Sequence, residues 1–271
     1  MKRTGLLLLV TIFAVTGMAA SAFAGNLVIN GSTTVLPIGQ AAAEKFMEAN
    51  PDVSISVSGG GSGNGIKALI DKTTDIAMSS RFIKDKEVAL AVENGAYPVP
   101  FAVAVDALLP VVHPDNPVKD LTIQQLHDIY TGKITNWKEI GGPDKNILAV
   151  TRDTSSGTFE VWEEKVMGGD KIIPRALVVA SNGAMVQSVS GNPAAIGYIG
   201  IGYLDSSVKP LTISGIEGTF ETAKSGEYPV SRYLFLFTPG WPTGDAMKFI
   251  NFVLSDAGQE IVASTGFVSV R

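Results

Sequence analysis

The sequence contains no cysteine and only two histidines, His113 and His127. Without thiols there is no disulfide, no thiolate metal site and no lipid-modified cysteine to tether the chain to a membrane. Two histidines leave few general bases. A hydrolase built on Ser62 or Ser156 needs a base beside the hydroxyl, yet His113 sits in the turn "HPDNP" and His127 on a helix face read as solvent-exposed. No spacing of histidines and carboxylates suggests a metal centre, and no cofactor is expected. Charge is sparse as well, at 17% of residues with a net of −5. An acidic balance of this kind carries no general attraction for nucleic acid or acidic lipid. There is no internal repeat, heptad run or low-complexity linker.

The chain starts with "MKRTGLLLLVTIFAVTGMAASAFAG", and no later segment is apolar for long enough to span a bilayer. Lys2 and Arg3 precede an apolar run from Leu6 to Val15, and small residues close the segment at Ala22-Phe23-Ala24. The run is too short for a membrane anchor. A secretory signal over residues 1–24, cut before Gly25, is the expectation, with the bacterial periplasm as destination. Its removal takes two positive charges and no negative ones, so the net charge of −5 becomes −7.

What remains alternates short apolar strands with amphipathic helices. "NLVING" reads as a strand and "LPIGQAAAEKFMEAN" as a helix stopped by Asn50-Pro51. "DVSISVS" alternates in the β manner, "GIKALIDK" carries Ile66, Leu69 and Ile70 on one helical face, and "DIAMSS" is the next strand. The order implies an α/β fold with mainly parallel sheet flanked by helices. The extended segment "VPFAVAVDALLPVVH" is too long for a routine strand, and "SRYLFLFT" is a second long apolar strand. They are the candidate crossings of a two-lobed protein, with residues 25–105 plus 234–271 as one lobe and 106–233 as the other. The C-terminal "TGDAMKFINFVLSDAGQEIVASTG" supplies one or two helices with Phe249, Ile250, Val253 and Leu254 as the buried stripe.

Four strand-to-helix junctions share one chemistry: "NGSTTVLP", "SGGGSGNGIK", "AMSSRF" and "TRDTSSGTFEVWEEKV". Each sets Ser or Thr beside Gly or at a strand end. Taken singly, each is an ordinary cap or turn. Taken together at the carboxyl ends of strands, they form a site for a small anion, because helix N-termini there present free N–H groups and partial positive charge. Arg152, four residues before Ser156-Gly157-Thr158, adds a guanidinium able to make two parallel bonds to an oxyanion, or else to pair with Asp153. The glycine run is no nucleotide P-loop: Ile66 separates Gly65 from Lys67, and no Ser or Thr follows the lysine.

The stretches "NGSTTVLP", "GGGSGNGIKALI", "DIAMSSR", "ITNWKEIGG", "RDTSSGTFEVWEE" and "AIGYIGIGYL" together resemble the periplasmic phosphate-binding proteins of high-affinity phosphate ABC transporters, through nearly the whole mature chain. The resemblance implies a two-lobed periplasmic binding protein fold closing on one inorganic phosphate ion, an ABC transporter permease as partner, a monomer and no enzymatic activity. It implies ligand donors at the Thr33 hydroxyl, the Thr34 backbone N–H and Ser62, with Arg152, Ser156, Gly157 and Thr158 from the second lobe. Better-known members carry an acidic residue at the end of the third strand to accept the proton of phosphate, and this chain has Ser80 there, followed by Arg81. Asp106 is a substitute acceptor to consider, and Ser32 and Arg81 are secondary candidates. The same fold tuned to sulfate, tungstate or molybdate is the rival reading, ahead of a serine-dependent phosphoester hydrolase.

Overall fold

The computed structural model describes residues 25–271, so the expected signal segment lies outside the described residues. The first stretch runs β1 (Gly25–Gly31), α1 (Leu36–Ala49), β2 (Val53–Gly59), α2 (Ser62–Ile70), β3 (Ile76–Ser79) and α3 (Asp85–Glu93). The first long segment is β4 (Val99–Val112). The second stretch holds β5 (Asp120–Leu121), α4 (Ile123–Thr131), β6 (Leu148–Arg152), α5 (Gly157–Lys165), β7 (Leu177–Val179), α6 (Asn182–Ser190) and β8 (Ala195–Gly200). The short β9 (Lys209–Pro210), β10 (Thr212–Ile213) and α7 (Phe220–Ser225) lead to the second long strand, β11 (Ser231–Thr238), and then to α8 (Gly244–Leu254) and α9 (Asp256–Ser264).

One sheet runs through the molecule in the order β2-β1-β3-β11-β4-β8-β6-β7, with β9 beside β4. Its two ends are parallel: β1 pairs with β2 and β3, and β6 pairs with β7 and β8. Its centre is antiparallel, because β4 and β11 run past each other over residues 99–107 and 231–238. Both long strands therefore cross between the halves, and each half keeps its helix-connected parallel strands. A parallel pair needs a crossover connection, and the amphipathic helices supply it.

The helical stripes bury as their periodicity dictates. Ile66, Leu69 and Ile70 of α2 are buried, and Phe249, Ile250 and Val253 of α8 are buried with Leu254 half-covered. Phe46 of α1 meets Phe249 edge-on at 5.6 Å, which seats the C-terminal helices on the first half. Thr122 caps α4 by accepting from the Gln125 N–H, and Gly132 ends the helix at φ 80°, a left-handed conformation that favours glycine. Helix α2 begins earlier than the glycine-rich run suggests. Gly61 adopts φ +104°, and Ser62-Gly63-Asn64-Gly65 already form the first turn. Gly65 is demanded by packing, since a Cβ there would lie 2.6 Å from the Gly31 Cα.

His127 departs from the expectation of a solvated ring. Its side chain is only 13% exposed, with Nε2 3.0 Å from Asp170 and Nδ1 3.1 Å from Asp128. The loop carrying Asp170 folds over the helix face, which helical periodicity within α4 could not show. Among the described residues, no helix is long and apolar enough to cross a membrane, and no group of three or more histidines and carboxylates is placed to hold a metal ion.

Candidate functional site

The four hydroxyl-bearing junctions converge at the middle of the sheet, where its halves meet. Strand β6 delivers Arg152, and the chain then turns: Asp153 accepts from the Ser155 N–H at 2.9 Å through its side chain and from the Ser156 N–H at 3.1 Å through its carbonyl. Ser156 caps α5 by accepting from the Phe159 N–H at 3.3 Å. The N–H groups of Gly157 and Thr158, in the first turn, have no intrahelical acceptor. Together with the helix dipole they make this end attractive to negative charge. Beneath, Trp162 stacks on Tyr198 at 4.3 Å, and the Tyr198 hydroxyl accepts from the Arg152 backbone N–H at 3.2 Å. Burial pushes the Tyr198 phenol up to about 12, so it stays protonated.

The Arg152 side chain is 1% exposed. Its Nε donates to the Val179 carbonyl at 3.1 Å and its Nη2 to the Ala180 carbonyl at 2.9 Å. Nη1 is buried and has no protein partner. Asp153 stands 3.9 Å away, too far for a hydrogen bond. Burial lowers the pKa of Arg152 from its ordinary value, against the pull of Asp153, yet a guanidinium remains charged in any such setting.

The first half supplies the opposing wall. Ser62 accepts from the Ser80 N–H at 3.0 Å, and the two hydroxyls are 3.2 Å apart. Both press on the start of α5: a Cβ at Gly157 would lie 2.4 Å from Ser62 Oγ and 2.8 Å from Ser80 Oγ, so only glycine fits. Thr34 Oγ1 and Thr158 Oγ1 meet across the halves at 2.9 Å. The Gly63 N–H donates to the Ser155 carbonyl at 2.9 Å, and the Tyr203 hydroxyl donates to the Thr33 carbonyl at 2.5 Å. Thr33, Thr34, Ser62, Ser80, Arg152, Ser156, Gly157 and Thr158 are all buried in this cluster.

Several expected roles shift once the partners are counted. The Thr34 N–H donates to Ser32 Oγ at 3.1 Å, and Val35 donates to the same oxygen at 3.3 Å. Ser32 thus holds the turn before α1, and the Thr34 N–H is occupied. Arg81 points away from the hydroxyls into a carboxylate pair: it meets Glu87 bidentately at 2.7 and 2.8 Å, and its Nε lies 2.7 Å from Glu160, an ion contact rather than an aligned hydrogen bond. Asp106 is no free proton acceptor. One oxygen accepts from the Ile201 N–H at 3.0 Å, and the other accepts from Arg232 at 2.7 and 2.9 Å.

Two residues at the site escaped the sequence reading. Arg232 stands directly opposite Asp106 on the paired crossing strands. Its Nη1 also donates to the Gly157 carbonyl at 3.3 Å, and its Nη2, one hydrogen already given to Asp106, shares the other between Thr158 Oγ1 at 3.1 Å and Thr34 Oγ1 at 3.4 Å. Arg152 is therefore not the only cation here. Asn182, at the start of α6, donates to Thr34 Oγ1 at 3.0 Å and to Thr33 Oγ1 at 3.4 Å. A signal for the first existed: one lone acid and one lone base of opposite charge, each inside a long apolar strand, need each other once buried. Asn182 gave none, since "SNGAMVQ" reads as an ordinary helix opening behind the Ser181 cap.

Comparison with known proteins places this geometry. A family model described as a PBP superfamily domain matches residues 17–257. The phosphate-binding protein PstS of Bacillus subtilis (strain 168) is 37% identical over 248 residues, covering 91% of this chain and 81% of that protein. The chain belongs to the PstS family of phosphate-binding proteins. Among solved structures in that family's company, an ABC transporter substrate-binding protein of Clostridium perfringens crystallised with bound phosphate superposes with a TM-score of 0.85 at 38% identity, over 91% of this chain and 100% of that one. An ABC-type phosphate transport receptor of Vibrio cholerae gives 0.74 at 36% identity, over 89% and 99%. Membership in this family accounts for the two-halved sheet with its central crossing strands.

Proposed function

We propose that the chain binds inorganic phosphate in the periplasm, as a monomer, and delivers it to an ABC transporter permease. The observation that carries this reading is Arg152: a buried guanidinium with one nitrogen unpartnered, immediately before a capped helix N-terminus and a ring of hydroxyls. A buried charge without its full complement of partners is costly, and an oxyanion supplies the missing acceptor. The family names and the phosphate-bound relative support phosphate among oxyanions. The site serines have no histidine among their hydrogen-bond partners, so no general base activates them. The expected lobes, residues 25–105 with 234–271 and residues 106–233, meet within β4 and β11, and closure of one on the other around the ion is the motion we infer.

Titration calorimetry of phosphate on wild type, Arg152→Ala and Arg152→Lys tests the reading. Loss of one side of a buried charge pair costs about 3–5 kcal/mol, so Arg152→Ala should weaken binding by roughly two to three orders of magnitude. Arg152→Lys should recover only part, because a point charge cannot reproduce a fork. A folded Arg152→Ala protein that binds phosphate like wild type would place the site elsewhere.

A further inference from the structure

Strand β6 changes partners on its way to the site. Its ladder with β8 consists of Leu148 beside Ala195 and Ala149 beside Ile196. From Val150 to Arg152 it pairs with β7 instead, while β8 goes on beside β4 as far as Gly200. The edge of β6 that faces β8 therefore loses its ladder just where the strand delivers Arg152. Backbone groups on a buried edge must find other partners. The Leu148 N–H still donates to the Ala194 carbonyl at 3.0 Å, and Val150 and Arg152 come next on the same edge. Two phenols serve them. The Tyr198 hydroxyl accepts from the Arg152 N–H at 3.2 Å. The Tyr130 hydroxyl donates to the Val150 carbonyl at 3.0 Å, with the Ile196 carbonyl of β8 3.4 Å away.

The phenols are themselves locked by packing. Tyr130, Trp162 and Tyr198 are fully buried. The Trp162 indole lies flat on the Tyr198 ring, 4.3 Å away with 6° between the planes, and Tyr130 meets the two edge-on at 5.4 and 5.8 Å. Both arrangements are favoured for aromatic pairs. The Tyr198 and Thr151 hydroxyls are bonded at 2.8 Å. Trp162 belongs to α5, the helix whose first turn carries Gly157 and Thr158. Tyr198 thus touches Arg152 through its hydroxyl and α5 through its ring. On the opposite edge of β6, the Arg152 side chain is tied to the Val179 and Ala180 carbonyls. The direction of its unpartnered Nη1 follows from these two anchors, one on the backbone and one on the guanidinium.

We propose that Tyr198, locked by Trp162 and Tyr130, is a positioning residue for phosphate: it fixes the Arg152 backbone against the start of α5, so that the guanidinium and the helix N–H groups aim at one ion. The inference rests on the phosphate reading. The three aromatic side chains act on the ion through Arg152 and α5. Removing the phenol oxygen leaves the N–H of residue 152 buried without an acceptor, a costly state, and the end of β6 shifts to recover one. The guanidinium moves with it, and a hydrogen bond weakens steeply as its angle departs from linear.

A double-variant cycle separates positioning from plain stability. Calorimetry gives phosphate affinity, and melting curves give stability, for wild type, Tyr198→Phe, Arg152→Ala and Tyr198→Phe/Arg152→Ala. The stranded N–H belongs to residue 152 whatever its side chain, so Tyr198→Phe should lower the melting temperature equally in both backgrounds. Affinity should behave differently. Tyr198→Phe should weaken phosphate about tenfold while Arg152 is present, the scale of one hydrogen bond to a charged group. Once residue 152 is alanine the loss should fall below about twofold, because the effect passes through the guanidinium. Tyr130→Phe should give the same pattern with a loss of about threefold, and it carries the cycle if Tyr198→Phe does not fold. An equal affinity loss in both backgrounds, or none in either, would make Tyr198 a structural residue only and overturn the proposal. A wild-type protein that binds no phosphate would instead sink the phosphate reading, and this inference with it.

Discussion

Two clusters of charge join the halves of this protein, and they obey different rules. At the centre, Asp106 and Arg232 face each other across the paired strands β4 and β11, with Asp106 fully buried. At the rim, Arg81 and Lys84 reach from the chain after β3 to Glu160 on α5, while Arg81 also holds Glu87. Burial is the largest influence on both Asp106 and Glu87. At Asp106 it wins, and the carboxyl is raised above its ordinary 3.8 despite the guanidinium beside it. At Glu87 the hydrogen bonds from Arg81 and Lys84 win, and the carboxyl falls below its ordinary 4.5. The difference is one of solvent. The rim pair stays partly wet and is stabilised by its partners, whereas the central pair persists because removing either member would strand the other in a dry interior. Geometry separates them further. Both members of the central pair ride on the crossing strands, so it survives any rotation of one half against the other. The rim contact to Glu160 spans the two halves and must break when they part.

Asp106→Asn attacks the central pair and should have the largest effect. Stranding Arg232 costs about 3–5 kcal/mol, and for a chain of this size each kcal/mol moves the melting temperature by about 2–4 °C. A drop of less than about 3 °C would mean that the central pair is no more dependent on its partner than the rim pair. Glu160→Gln attacks the rim. With Lys84 about half exposed and Arg81 still paired with Glu87, the stability loss should be about 1 kcal/mol, but the ligand-free protein should shift toward an open form. Small-angle scattering should show a larger ligand-free radius than wild type and the same radius once phosphate is saturating. Identical ligand-free radii would mean that the contact does not report on closure.

The smallest effect concerns acid. Because the folded Glu87 carboxyl titrates below its ordinary 4.5, the unfolded chain takes up that proton first. The stability Glu87 contributes is therefore present above its ordinary value and lost as pH falls through the lower folded one. Glu87→Gln should melt slightly lower than wild type near neutrality, by about 1–3 °C, and the gap should close as pH drops below about 4. A gap that persists into acid would assign the effect to packing rather than to charge.

Much of the site was legible along the chain. Ser156-Gly157-Thr158 after Arg152, the serines near the ends of the early strands and the glycine run before α2 all announce helix N-termini, and helix N-termini are local facts. A cap, a turn and an amphipathic stripe are written within about four residues, the span of one helical hydrogen bond. Sequence alone therefore determined the principal strands and helices and pointed to most of the hydroxyl ring. It did not determine what each polar group does. Asp106 read as an available acceptor and Arg81 as a ligand, because their partners Arg232 and Glu160 are matched by register and packing; the Thr34 N–H read as free although Ser32, its partner, lies only two residues back. Arg232 lies 126 positions from Asp106, and only the antiparallel pairing of β4 with β11 sets them face to face. The tertiary structure decided which hydrogens and lone pairs are spent inside the protein, and so which remain to meet a ligand, since a buried donor or acceptor is satisfied by whatever the fold brings within about 3 Å.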